Sequence, residues 1–160
     1  VFNNDTNSVK ILFASLKTQM DEKYKKSIQA YEKEGVDFLK KNENKKGVKQ
    51  TFSGLQYKVL KKGNGKKPSA SSRVKVHYKG TLISGETFDS SYDRGVPAEF
   101  GLSQVIPGWT EGLQLMSVGS KFEFFIPQEL AYGANPQPGG IIKPYSLLIF
   151  EVELLEILNP

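Results

Sequence analysis

The chain has 160 residues, 38% of them hydrophobic, and no apolar run approaches the roughly 18 residues that span a bilayer. It contains no cysteine, which excludes disulfides, thiolate metal sites and cysteine nucleophiles. The formal net charge is +5, and most of the excess lies in residues 1–50, where eleven lysines face seven acidic residues.

Residues 7–46 are predicted to form one long helix. They contain no proline and are rich in good helix formers. Apolar residues recur mostly at steps of three or four, at Val9, Leu12, Phe13, Leu16, Met20, Tyr24, Ile28, Tyr31, Phe38 and Leu39. Gly47 is the expected end of the helix. At about 1.5 Å per residue it would reach about 60 Å, too long to lie wholly against one compact partner.

The start of this helix carries an apolar cluster of Ile11, Leu12, Phe13 and Leu16. An isolated helix that exposed these side chains would present an adhesive patch. The segment therefore self-associates, frays, or packs back on the following domain, and a homodimer through the N-terminal helix is the interpretation we favour. Residues 1–50 are assigned to this helix and a linker, and residues 51–160 to a second domain.

A basic segment runs from Lys40 to Lys67, with ten lysines against the single acid Glu43. Such a segment is able to contact nucleic acid or anionic lipid. However, it contains no arginine and few aromatic residues of the kind that stack on bases. We interpret it as a solvated helix end and linker, and expect no nucleic-acid partner.

From Phe52 onward, short alternating segments between Gly and Pro turns predict strands. The predicted strands are 55–60, 73–79, 87–89, 121–126 and 147–158, with a hairpin turn at Ser84-Gly85. The one helix expected here is short, at about 109–116. The predicted fold class is α+β, an antiparallel sheet wrapped around one short helix and preceded by the long N-terminal helix.

Several kinds of chemistry lack the residues they need. The only histidine, His77, falls on the outward face of its predicted strand, so neither a Ser-His-Asp set nor a zinc site is expected. The glycine pairs near 63–65 and 139–140 are too short for a phosphate loop. Asp89 and Glu111 resemble a glycosidase carboxylate pair only superficially, because a sugar site would carry more polar neighbours. No metal or other cofactor is expected.

Aromatic residues suggest a different kind of site. The segment Val105-Ile106-Pro107-Gly108-Trp109 places the only tryptophan at the start of the short helix. Other aromatic residues come from separate strands and turns, at Tyr78, Phe88, Phe100, Tyr132 and Phe150. Each of them taken alone is compatible with a place in the core. Because Trp109, Phe100 and Tyr132 adjoin Gly or Pro, we interpret the set as a small aromatic-walled pocket for a compact apolar ligand such as a prolyl ring.

Five ordered motifs over about residues 52–157 resemble the FKBP-type peptidyl-prolyl cis-trans isomerases. They are Val76–Gly80, Gly85–Ser91, Val105–Trp109, Leu130–Gly133 and Leu148–Leu154. The Lys-rich helix and the segments Gly47–Lys49 and Ser53–Tyr57 resemble the Mip/FkpA-like bacterial branch. In that branch N-terminal helices pair two subunits. The resemblance implies the bacterial periplasm or the outer membrane and cell surface, and the start at Val1 is compatible with a removed signal peptide.

The resemblance also implies a set of site residues. Trp109 would be the pocket floor, with walls from Tyr78, Phe88, Val105, Ile106 and Phe150, and with Ile141 and Ile142 on a flap. The catalytic residues would be Asp89, bonded to Tyr78 near Arg94, together with the Tyr132 hydroxyl and the Ile106 backbone N–H. Two departures from the family pattern are Ala98, which should open one wall, and Gln137, in the flap where some members carry His.

The implied activity is isomerisation of X-Pro bonds (rotamase activity) in proline-containing peptides and unfolded proteins, as a folding helper or chaperone. Macrolide inhibitors would bind the same pocket. Rotation about a peptide bond requires no covalent or metal chemistry, so the lack of a catalytic His or Cys fits this reaction. Two alternatives are a module that only docks Pro-containing peptides, and a structural or adhesion dimer.

Overall fold

One antiparallel sheet of seven strands organises the part of the chain that the structure, a computed structural model, describes: residues 22–23, 25–136 and 140–158. The strand order is β1-β2-β6-β7-β3-β4, and β5 pairs with β3. The strands are β1 (Val48–Gln50), β2 (Gln56–Lys61), β3 (Arg73–Thr81), β4 (Thr87–Ser90), β5 (Ala98–Gly101), β6 (Lys121–Ile126) and β7 (Leu148–Leu158).

The helices are short except for the first. Helix α1 is described at 22–23 and over 25–42, α2 is Ser91–Arg94, and α3 is Pro107–Leu113. Single turns of 3-10 helix cover Leu102–Gln104 and Gln128–Leu130. Within the described ranges, no helix is both long and apolar enough to cross a bilayer.

The inner face of the sheet packs on α3. Alternate residues of β3 and β7 are buried on this face, namely Val74, Val76, Tyr78, Leu148, Phe150, Val152 and Leu154. Two glycines let the backbone of α3 lie directly on β6. A Cβ at Gly108 would lie 2.6 Å from Ile126, and one at Gly112 would lie 2.7 Å from Phe124. Trp109, between these glycines, is thereby fixed against the sheet.

The outer face of the sheet carries α1. The ring centroids of Phe38 and Phe125 are 5.9 Å apart. The neighbours of Phe125 in β6 point to the inner face, so Phe125 itself lies on the outer face. Asn42 Nδ2 donates to Gln56 Oε1 at 2.9 Å, and Gln56 Nε2 donates to the carbonyl of Leu39 at 3.0 Å. Both amide side chains are buried, and these bonds satisfy them. The described part of α1 is thus packed on the domain that follows it.

The predicted fold class is confirmed, and the predicted strands agree with β2, β3, β4, β6 and β7 to within a few residues at each end. The predicted helix 109–116 instead begins at Pro107 and ends at Leu113. Proline suits the first position of a helix, because its missing N–H has no partner there in any case. The long helix ends at residue 42 and not at Lys46, and its predicted portion 7–21 lies outside the described residues.

Among the described strands and α-helices, three were not predicted: β1, α2 and β5. Both ends of α2 have recognisable signals. The Ser90 side chain accepts from the N–H of Asp93 at the start, and Gly95 follows the end with φ 75°. The strand β5 pairs Ala98 with Val76 and Gly101 with Arg73. The division into residues 1–50 and 51–160 stays a prediction.

Candidate active site

The floor of the candidate site is Trp109 in the first turn of α3. Only 4% of it is exposed. The rings of Tyr78, Phe100 and Phe150 lie 5.2, 5.3 and 5.3 Å from the indole, each nearly perpendicular to it at 84–85°. Such edge-to-face contacts are favourable for aromatic quadrupoles and define ring orientation. The three rings come from β3, β5 and β7, so the sheet itself holds the walls around the indole.

These rings line an inner chamber of about 280 Å³ that is open to the surface. Its lining residues are Tyr78, Asp89, Phe100, Gln104, Val105, Ile106, Trp109, Tyr132 and Phe150. This volume is several times the volume of about 30 Å³ that one water molecule occupies in liquid water. A compact apolar ring with its adjoining peptide groups therefore fits this chamber.

A second, flanking chamber of about 430 Å³ adjoins the first. Its lining residues are Glu86, Thr87, Phe88, Asp89, Tyr132, Gly140, Ile141, Ile142 and Phe150. Asp89, Tyr132 and Phe150 line both chambers, which makes them the boundary between the two. Phe88 reaches this chamber by lying across Gly80, where a Cβ would approach its ring to 2.5 Å.

All ten residues proposed from the sequence line one chamber or the other. Five lining residues were not predicted as site residues: Phe100 and Gln104 in the inner chamber, and Glu86, Thr87 and Gly140 in the flanking chamber. Phe100 is brought in by the unpredicted strand β5. Ala98 is half-buried beside Val76 and lines neither chamber. Gln137 lies outside the described residues.

A polar network forms the rim at Asp89. Tyr78 Oη donates to Asp89 Oδ2 at 2.5 Å, Arg94 Nη1 donates to Asp89 Oδ1 at 2.6 Å, and Arg94 Nη2 donates to Tyr78 Oη at 2.9 Å. Arg94 also lies over the Tyr78 ring, 5.6 Å from its centroid. The predicted bond from Tyr78 to Asp89, close to Arg94, is present.

The same contacts set the protonation of the rim. Partial burial alone would raise the pKa of Asp89, but the hydrogen bonds from Tyr78 and Arg94 outweigh it and leave the pKa below its usual value. Burial, and then the bond to Asp89, raises the pKa of the Tyr78 hydroxyl. Near neutral pH, Asp89 is therefore a carboxylate held by two donors, and Tyr78 keeps its proton.

Backbone and side-chain donors at the chambers are free to bind a ligand. Ile106 caps α3, and its carbonyl accepts from the N–H groups of Trp109 and Thr110 at 2.9 and 3.2 Å. Its own N–H donates to no acceptor among the described residues. Tyr132 is 45% exposed where the two chambers meet. A carbonyl acceptor of a bound peptide would find donors at both places.

His77 lies behind the rim and lines neither chamber. Its Nδ1 is 2.9 Å from Ser91 Oγ, and its ring stacks on Tyr92 at 4.7 Å. Ser91 Oγ also accepts from the N–H of Tyr78 at 2.7 Å. The histidine, expected on the surface, is thus half-buried and supports the segment that carries the rim.

Comparison with known proteins identifies the family of this chain. Residues 64–155 match the family model described as FKBP-type peptidyl-prolyl cis-trans isomerase. The chain belongs to this family. Residues 3–59 match the model of the domain amino terminal to FKBP-type peptidyl-prolyl isomerase. The family and the Mip/FkpA-like resemblance expected from the motifs are confirmed.

Relatives and solved structures agree with this assignment. The FKBP-type isomerase FkpA of Aeromonas hydrophila is 58% identical over 81% of this chain and 47% of its own length. The 22 kDa FKBP-type isomerase of Escherichia coli K12 is 57% identical over 81% of this chain and 63% of its own length. The crystal structure of Escherichia coli FkpA superposes with a TM-score of 0.85 at 43% identity, covering 96% of this chain and 71% of that one. The chain thus spans about half to two thirds of those two curated relatives.

Proposed function

We propose that this chain catalyses the cis-trans isomerisation of X-Pro bonds in proline-containing peptides and unfolded proteins. The observation that carries the proposal is the inner chamber, where three rings stand perpendicular to Trp109. An apolar ring of proline is a suitable occupant, and the free N–H of Ile106 suits a carbonyl of the same peptide. Tyr132 Oη is a second donor, where the two chambers meet.

The reaction fits these groups because it makes and breaks no covalent bond. The barrier is about 18–20 kcal/mol and comes from amide resonance, which is lost as the C–N bond twists. The twisted amide is less polar than the planar one, so an apolar chamber favours it relative to the ground state. Donors that hold the flanking carbonyls fix the two sides of the rotating bond. In this proposal Asp89 acts by fixing Tyr78 and Arg94 around the chamber, not by transferring a proton.

A protease-coupled isomerisation assay on a short X-Pro peptide tests the proposal. We expect turnover well above the uncatalysed rate, and its loss at saturating macrolide inhibitor. Phe52→Ala is the matched aromatic control, because Phe52 is fully exposed and lines neither chamber. It should keep wild-type activity. Peptide binding without turnover would instead identify a module that only docks Pro-containing segments.

Macrolide binding belongs to the same proposal. Trp109 is the only tryptophan of the chain, so its fluorescence reports the inner chamber without interference. A ligand against the indole should change the emission with a saturable dose dependence. Calorimetry provides the second measurement, and no response by either method at saturating inhibitor would contradict the assignment of the floor.

We also place the protein in the bacterial cell envelope as a folding helper that pairs through its N-terminal helix. A relative that supports this location is the protein named Outer membrane protein MIP in Legionella longbeachae, 47% identical over 84% of this chain and 57% of its own length. The apolar cluster at Leu12 and Leu16 lies outside the described residues, so the argument for pairing comes from sequence. Analytical ultracentrifugation should show a dimer that Leu12→Asp dissociates, and a monomer at high micromolar concentration would contradict it.

A further inference from the structure

Gly35 is an unusual residue for its place in the fold. It lies inside α1, where glycine is destabilising relative to alanine because it loses more backbone freedom on folding. The structure gives a reason for it. Gly35 is buried, and a Cβ at this position would lie 3.3 Å from the Cβ of Leu147. The missing side chain thus lets the backbone of α1 approach Leu147 closely.

Leu147 is the last residue of a segment that also forms the site. We call residues 140–147, which lead into β7, the return limb. At one end of the return limb, Ile141 and Ile142 line the flanking chamber. At the other end, Leu147 is 3% exposed and lies against α1. A displacement of Leu147 would therefore move the return limb, which carries Ile141 and Ile142 in the wall of the flanking chamber.

The return limb is also tied to the segment before it. The N–H of Tyr145 donates to the carbonyl of Gly133 at 2.8 Å, next to Tyr132. Tyr145 has φ 59°, a left-handed conformation that a residue with a side chain adopts only when its surroundings impose it. The position of the return limb is thus linked to Tyr132 as well as to Ile141 and Ile142.

Space on both sides of Leu147 leaves the return limb room to move. A cleft of about 120 Å³ lies between α1 and the limb on the side of Tyr31 and Glu34, and one of about 50 Å³ lies on the side of Val36 and Leu39. The close contact at Gly35 lies between the two clefts. By contrast, α1 is anchored to the sheet, through Phe38 on Phe125 and through the amide pair Asn42 and Gln56. A larger side chain at Gly35 would accordingly displace the return limb more than it displaces α1.

We propose that Gly35 is a positioning residue for substrate binding, because α1 sets the place of the return limb and thereby the shape of the flanking chamber. This inference rests on the proposed function, since the flanking chamber is where the chain next to the proline would bind. It makes the N-terminal helix a support of the site, although no described residue of α1 lines either chamber.

The test compares three variants of the full chain. Gly35→Leu adds a side chain at the contact, Gly35→Ala adds one methyl group, and Ala30→Leu is the control on the same helix, at an exposed residue that lines neither cleft. Methyl NMR of Ile141 and Ile142, without ligand, reports the return limb directly. Steady-state kinetics on an X-Pro peptide then separate KM from kcat, and thermal unfolding monitors the fold.

We expect Gly35→Leu to shift both isoleucine methyl resonances and to raise KM by about threefold or more, with kcat within about twofold. Gly35→Ala should shift the resonances in the same direction by less, and Ala30→Leu should change neither the resonances nor KM. A folded Gly35→Leu protein with unchanged resonances and unchanged KM would overturn the proposal. If that variant does not fold, unchanged resonances in Gly35→Ala overturn it. The NMR measurement requires no turnover, so an inactive wild-type protein would refute the proposed function and leave this test standing.

Discussion

Phe150→Ala is predicted to damage stability and catalysis together, because Phe150 belongs to both the core and the site. It is 6% exposed in the middle of the sheet, between Phe124 of β6 and Gly80 of β3. Its ring lies 5.3 Å from the rings of both Trp109 and Phe88. Truncation therefore removes a wall shared by the two chambers and leaves the indole without one of its three perpendicular neighbours.

The expected loss in the free energy of unfolding depends on where the cavity left by Phe150→Ala would open. Truncation of a buried Phe to Ala typically costs about 3–5 kcal/mol, and the cost grows with the cavity left behind. One side of Phe150 already faces the chambers, so fewer packing contacts disappear than in a closed core. We therefore expect the low end, about 3 kcal/mol. For a chain of this length that corresponds to a fall in Tm of about 6–12 °C.

Urea and thermal unfolding measure the stability, and the isomerisation assay, run well below the lowered Tm, measures the activity. Tyr132→Phe is the matched control. Tyr132 lines the same two chambers but is 45% exposed, so this variant should change the free energy of unfolding by less than about 0.5 kcal/mol. Equal stability of Phe150→Ala and wild type would refute the placement of this ring in the core. Full activity in the folded variant would refute its place in the site.

Three further outcomes are expected. Asp89→Ala and Tyr132→Phe should each lower turnover on short peptides by several-fold or more without unfolding the protein, and full activity in both variants would show that the rim roles are wrong. Gly80→Ala should weaken inhibitor binding, measured by Trp109 fluorescence, because its Cβ would lie 2.5 Å from the Phe88 ring and push that ring into the flanking chamber. Unfolding at several pH values should show a contribution from Asp89 above its unfolded pKa of 3.8, lost as the pH falls through its lower folded pKa, and Asp89→Ala should remove that part of the acid dependence.

The alternation of apolar residues was enough to predict much of the sheet. In β3, and in β7 as far as Leu154, every second residue is buried, so the strand, its inner face and the inward direction of Tyr78 and Phe150 all follow from period two. The predicted strand 121–126 coincides with β6. Pro107 and Gly108 predicted that Trp109 lies at the start of a short helix, whereas its role as the pocket floor was implied by the family resemblance.

Other parts of the site depend on contacts between distant residues, which a single sequence does not display. Strand β5 is only four residues long and exists because it pairs with β3, so Phe100 was left out of the site list. The apolar stripe of α1 shows that one face is buried, but it does not say against what. Two pairs join the helix to the sheet: Phe38 with Phe125, and Asn42 with Gln56. The members of each pair are far apart in the sequence, so the periodicity of a helix or a strand does not predict that they meet.

A chamber that acts by shape and polarity, without proton transfer, depends on how firmly its walls are held. The walls around Trp109 come from three paired strands, so a change in the inner chamber requires a change in the sheet. The walls of the flanking chamber include Ile141 and Ile142 on the return limb, where the support is a loop and one close contact with α1. It follows that the affinity for the proline ring should be robust to substitutions outside the core. Preference for the residues beside the proline should instead respond to changes as remote as Gly35.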